Sequence, residues 1–145
     1  MLKRESQRAI QQCINAAQRA EVNRMSGERL DRYLDAGYGS TILREHGALI
    51  ATALKHFDGQ RYDLDAWCVM PNHVHVLLFI RGQAELDRIV HSWKSYTAHR
   101  IGRGVIWARE YYDRIVRDAR ELERTRSYIR ENPFKAGLRD WPFVT

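Results

Sequence analysis

Apolar positions fall into distinct patterns along the chain, and their order predicts a mixed α/β domain. Residues 1 to 34 are polar, rich in Gln, Arg, Glu and Ala and free of proline, and they read as helix with a thin apolar face. The turn-like run Asp35-Ala36-Gly37-Tyr38-Gly39-Ser40 interrupts them. Ser40 or Thr41 is placed to cap a following helix, in which Ile42, Leu43, Ala48, Leu49, Ile50, Ala53, Leu54 and Phe57 recur at helical spacing. Asp58-Gly59 ends it. Tyr62 to Val69 then alternates as a strand, Met70-Pro71-Asn72 turns the chain, and His73 to Ile80 returns as its antiparallel partner. Beyond Gly82, a stripe of Leu86, Ile89, Val90, Trp93, Tyr96 and Ile101 predicts a second helix. Residues 102 to 109 read as a turn and a short strand-like run around Trp107. A last helix is predicted from Ala119 to Glu131, capped by Asp118 and stopped by Pro133.

Composition narrows the class. A chain of 145 residues is the size of one domain, and no repeat or linker divides it. An excess of 24 Lys+Arg over 18 Asp+Glu favours a polyanionic partner, of which nucleic acid is the commonest. The two cysteines, Cys13 and Cys68, are too few and too far apart for a disulfide framework or a zinc-cysteine site and read as reduced thiols. No apolar run approaches the roughly 20 residues of a membrane helix, and the N-terminus carries no secretory pattern. These readings predict a cytoplasmic protein without a membrane partner.

The chemistry concentrates in two places. Side chains alternate along a strand, so His73 and His75 face one way and Val74 and Val76 the other. Two imidazoles at this spacing form a recurrent half of a divalent metal site; the alternative is a pair of hydrogen-bonded core histidines. On the last helix, Tyr128 and Asn132 stand four residues apart on one face. A phenol that attacks phosphorus needs a cation beside it to stabilise the developing charge, and Asn132 offers a third ligand. The alternative is a tyrosine at the core rim and an asparagine that caps the helix. Tyr96, Tyr111 and Tyr112 compete for the nucleophile's role. The second helix carries Arg88, Lys94, His99, Arg100 and Arg103 beside its apolar stripe, and residues 110 to 117 interleave aromatics with arginines, a mixture suited to base stacking and phosphate contact.

Four stretches together resemble the REP-associated tyrosine transposases, within the single-tyrosine HUH (His-hydrophobe-His) superfamily. They are HFDGQRYDLDAWCVMPNHVHVLL at 56 to 78, HSWKSYTAHRI at 91 to 101, VIWAREYYDRIVRD at 105 to 118 and YIRENPFKAGL at 128 to 138. The resemblance implies a ferredoxin-like α/β (α+β) fold, an antiparallel sheet with helices packed on one face, over a domain spanning 40–145 after an N-terminal helical extension, 1–39. It implies a strand transferase that cleaves and rejoins single-stranded DNA at hairpin-forming palindromes through a 5′-phosphotyrosine intermediate. Tyr128 takes the place of the nucleophile, His73, His75 and Asn132 those of the ligands of Mg²⁺ or Mn²⁺. Lys94, Arg100, Arg109, Tyr112, Arg114 and Arg117 are the expected DNA contacts. Similar proteins begin with an interior strand reading aromatic-hydrophobic-Thr-hydrophobic, and nothing before residue 40 matches it. The first strand is therefore expected to be missing or replaced, by another segment or by a second subunit in a homodimer. A DNA-binding remnant without cleavage activity and a metal-dependent hydrolase are the competing functional classes.

Overall fold

The structure, a computed structural model, describes residues 7–12, 41–104, 106–108 and 111–145. Four strands form one antiparallel sheet: β1 (Gln7–Gln12), β2 (Tyr62–Val69), β3 (Val74–Ile80) and β4 (Tyr112–Ile115), in the order β2-β3-β1-β4. The helices are α1 (Gly47–His56), preceded by a 3₁₀ turn at Ile42–His46, α2 (Leu86–Ile101) and α3 (Ala119–Lys135). This β-α-β-β-α-β succession with sheet order 2-3-1-4 is the ferredoxin-like arrangement, followed by one further helix.

The interior strand is present, and it corrects the helical reading of the N-terminal residues at Gln7–Gln12. Its sequence, QRAIQQ, has little strand propensity, but it pairs on both sides, with β3 from Gln7↔Phe79 to Gln12↔Val74 and with β4 from Arg8↔Ile115 to Gln11↔Tyr112. Backbone pairing with two neighbours outweighs residue preference here. A polar segment of this chain thus takes the interior place for which another segment or a second subunit was expected. Residues 1–6 and 13–40, over which helix was also expected, lie outside the described residues.

The β2–β3 hairpin follows the alternation closely, with one irregularity. Pairing runs Leu64↔Leu78 and then Ala66↔Leu77, leaving Asp65 as a bulge. The bulge explains a phase change in the sequence: Tyr62 and Leu64 share a face with Trp67 and Val69, an odd step later.

Val74, Val76 and Leu78 bury one face of the sheet against α1 and α2 in the main core, which includes Leu43, Ile50, Leu54, Ile89, Val90 and Trp93. Leu77, Ala66, Cys68 and Met70 line the other face and pack with Val116 and Ile129, the latter on α3. The helices therefore cover both faces, not one. The buried stripe of α3 is short, in keeping with its mostly charged sequence.

Local chemistry accounts for the helix boundaries. Asp118 caps α3 by accepting a hydrogen bond from the Glu121 N–H at 2.8 Å. α3 continues past Pro133 to Lys135 rather than stopping at Glu131. Proline in the final turn removes one hydrogen bond, and the end is closed by Ala136 N–H donating to Asn132 O and Leu138 N–H to Pro133 O. On α2, Thr97 rather than Tyr96 completes the inward stripe; its hydroxyl donates to Trp93 O and accepts from Trp107 Nε1. Ile106, Trp107 and Ala108 are buried but form no strand.

The first helix also departs from expectation, since Thr41 gives no side-chain cap and the α-helix proper begins only at Gly47. A Cβ at Gly47 would lie 2.3 Å from the Phe143 ring, so glycine is what lets the C-terminal segment approach. That segment runs beside β2, with Val69 N–H donating to Phe143 O and Thr145 N–H to Trp67 O.

Candidate active site

His73 and His75 lie on the α3 side of the sheet, His73 just before β3 and His75 at its second residue. Both rings are buried, His73 completely. Their Nε2 atoms stand 2.9 Å apart, with the ring planes nearly perpendicular. Asn72, itself buried in the hairpin turn, holds His73 from behind, with its Oδ1 2.6 Å from His73 Nδ1. When that Nδ1 carries the proton, His73 Nε2 turns a lone pair toward His75.

This donor set suits a small divalent cation. Adjacent ligands of an octahedral ion, each about 2.1 Å away, stand about 3 Å apart, close to the separation of the two nitrogens. No group of three His, Cys, Asp or Glu side chains that could hold a metal ion occurs among the described residues.

α3 brings Tyr128 to the same place. Its ring stands edge-on to His75, with centroids 5.3 Å apart, and remains 37% exposed, open to a substrate on its outer side. One turn on, Asn132 is buried. The helix is fixed against the sheet by Ile129, whose burial contributes roughly 2 kcal/mol, and by a bidentate ion pair. In that pair, Arg126 donates from Nε and Nη2 to both carboxylate oxygens of Asp65, at 2.8 and 2.6 Å. Asp65 is the bulge residue of β2, and the bulge turns its side chain toward α3.

The expected DNA contacts are differently placed. Lys94 is tied inward, donating to Ala108 O at 2.7 Å and lying over the Tyr111 ring. Arg114 pairs with Glu121, whose carboxyl is held below the usual range first by that guanidinium and then by the Arg117 N–H. Arg100 is exposed over the Tyr96 ring and Arg117 is exposed at the start of α3. Tyr112 occupies the β4 position in register with Gln11, which in turn registers with His75. Arg109 lies outside the described residues. Of the competing tyrosines, Tyr111 donates its hydroxyl to Asp87, and Tyr96 lies on α2 beyond the opposite face of the sheet.

Sequence reasoning missed Asn72, taken as a turn residue only, and the Asp65–Arg126 pair. The phase change between Leu64 and Trp67 was the available signal for the second.

Comparison with known proteins bears on this arrangement. The family described as Transposase IS200 like matches residues 41–132, which include the hairpin, α2 and Tyr128. A REP-associated tyrosine transposase of Escherichia coli (strain K12) is 27% identical over 89 residues, 58% of this chain and 54% of the relative. The chain thus spans about half the length of that curated relative. A solved structure of a REP-associated tyrosine transposase bound to a REP hairpin superposes with a TM-score of 0.72 at 20% identity, covering 98% of this chain and 77% of the other. At that identity the superposition establishes the fold alone. With the family match spanning well over half of its residues, the chain belongs to the IS200-like transposases, and within them it resembles the REP-associated tyrosine transposases.

Proposed function

We propose that this chain cleaves and rejoins single-stranded DNA beside hairpin-forming palindromes, with Tyr128 as nucleophile. One observation carries the reading: the buried His73–His75 pair and the half-exposed Tyr128 ring converge from different elements, with 5.3 Å between the His75 and Tyr128 centroids.

In the reaction, the Tyr128 phenol oxygen forms a bond to phosphorus as the P–O3′ bond breaks. The phenol gives up its proton and the departing 3′-oxygen gains one. The product is a 5′-phosphotyrosine and a free 3′-hydroxyl, and attack by another 3′-hydroxyl reverses the step and joins the ends. A free phenol, with a pKa of about 10, is a poor nucleophile at neutral pH. Mg²⁺ or Mn²⁺ held by His73 and His75, with Asn132 in reach of the same helix face, would supply charge stabilisation at the phosphate. Asn72 keeps the His73 ring turned for that task, and the Asp65–Arg126 pair keeps α3, and so Tyr128, at a fixed depth beside the rings. The positive excess of the chain favours the strand's approach.

The experiment is incubation with labelled single-stranded DNA carrying a palindrome and Mg²⁺ or Mn²⁺, followed by denaturing electrophoresis. A protein-DNA adduct is expected, lost in both Tyr128→Phe and His73→Ala. Cleavage that survives in Tyr128→Phe would instead mean water activation by a hydrolase. Binding without any cleavage would mean a DNA-binding remnant.

A further inference from the structure

On the face of the sheet away from Tyr128, α1 and α2 leave between them a cleft of about 300 Å³. His56 and Phe57 line it from the end of α1, Ser92 and Tyr96 from α2, and the buried Trp93 from below. Three features separate it from an ordinary gap between helices. Its walls carry unsaturated rings at least partly open to solvent: the exposed His56 and the half-buried Phe57 pack edge to face with centroids 4.4 Å apart, and Tyr96 is 46% exposed. A cation lies over a ring on each side, the Arg61 guanidinium 4.1 Å from the Phe57 centroid and that of Arg100 5.9 Å from the Tyr96 centroid. Among the described residues no carboxylate lines it.

Exposed rings flanked by guanidinium groups match an unpaired base, which offers a planar π-face between two phosphates. The polar groups suit a base edge. Ser92 Oγ, which donates to Arg88 O at 2.9 Å, sits within 3.4 Å of Arg61 Nη1, and the exposed His56 imidazole is at the lip. An apolar protein segment would favour a cleft without charge at its rim.

We propose that this cleft takes an unpaired nucleobase of single-stranded DNA, stacked on Tyr96 and the His56–Phe57 pair, with the flanking phosphates on Arg61 and Arg100. The proposal rests on the reading of the chain as a protein of single-stranded DNA, and adds a contact on the opposite face from the nucleophile. A strand engaged at both places must pass around an edge of the sheet.

The test uses the full chain, a fluorescent single-stranded oligonucleotide followed by anisotropy, and the same oligonucleotide carrying iodouracil for photo-crosslinking. Tyr96→Ala should weaken binding about tenfold, the loss of one stacked base, with only a small fall in the thermal midpoint, because about half of the side chain is exposed. Tyr96→Phe should restore binding to within about twofold, since it keeps the stacking face. Cross-links should map to peptides containing Phe57 or Tyr96. Unchanged affinity in Tyr96→Ala, or cross-links confined to α3, would overturn this proposal alone. A wild-type protein that binds no single-stranded DNA would overturn it together with the function proposed above.

Discussion

Replacing Arg126 by methionine tests whether α3 is held by its ion pair with Asp65 or by packing alone. The pair is intermediate in burial, with side-chain exposures of 30% for Arg126 and 11% for Asp65. Exposed pairs contribute about 0.2 to 1 kcal/mol, whereas removing one partner of a buried pair costs about 3 to 5 kcal/mol because the other charge is stranded. A bidentate pair on the bulge of β2 falls between these limits, and Arg126→Met should destabilise the chain by about 2 to 3 kcal/mol, most of it from the stranded Asp65 carboxylate. Asp65→Asn should cost less, about 1 to 2 kcal/mol, because Arg126 retains Glu123 at 3.4 Å and a path to solvent. The double variant should lose less than the sum of the singles. Urea unfolding measures all three, and a chain of this length should show a fall in thermal midpoint of about 6 to 10 °C for Arg126→Met. Adduct formation should fall as well, since Tyr128 lies two residues along the same helix. A change of less than about 0.5 kcal/mol in Arg126→Met would refute the reasoning and leave Ile129 and Leu122 as what holds the helix.

Other predictions follow from single contacts. Asn72→Ala should weaken Mn²⁺ binding about 10- to 100-fold, read by manganese-induced line broadening of the histidine resonances, and an unchanged affinity would remove Asn72 from the site. Gly47→Ala should destabilise by about 1 to 3 kcal/mol by pushing Phe143 off α1, with a Phe143→Ala background expected to abolish most of that effect in denaturant titrations. Glu121 and Asp118 both have carboxyls held below the ordinary range, Glu121 chiefly by Arg114 and Asp118 chiefly by the Glu121 N–H. Their stabilising effect is complete above the unfolded value of about pH 4 and is lost as pH falls through the lower folded values; Glu121→Gln should flatten that acid limb in urea midpoints, and a limb unchanged by it would contradict the assignment. Arg100→Ala and Arg117→Ala should each reduce the salt slope of DNA binding by about one, whereas an equal effect from Lys94→Ala would conflict with its inward tie to Ala108.

Much of this architecture was legible because periodicity and burial agree. Tyr62–Val69 alternates and is a strand over just those residues, Leu86 to Trp93 recur at helical spacing and are buried, and Asp118 reads as a cap and acts as one. The histidine pair was legible for the same reason, since alternation fixes the face of His73 and His75 whatever surrounds them. β1 was not, because Gln7–Gln12 is held by hydrogen bonds from two neighbouring strands that carry no imprint in its own side chains. The Asp65–Arg126 contact between β2 and α3 was not legible either, because it rests on a bulge, a property of pairing between strands rather than of one strand's composition. Arg114 and Lys94 resemble solvated cations locally; their partners Glu121 and Ala108 lie seven and fourteen residues away.

The alternation of β3 also governs which changes of chain length this protein tolerates. Val74, Val76 and Leu78 serve one layer while His75 and Leu77 serve the other, so inserting or deleting a single residue at the start of the strand, where no bulge absorbs it as one does in β2, would exchange the faces of the residues beyond it. Imidazoles would enter the dry layer beneath α1 and α2 as valines turned toward Tyr128. Without such a bulge, a frame slip disturbs the core layers and the histidine pair together. Among length variants of this hairpin, those that keep the core layers intact are therefore expected to keep both histidines facing Tyr128.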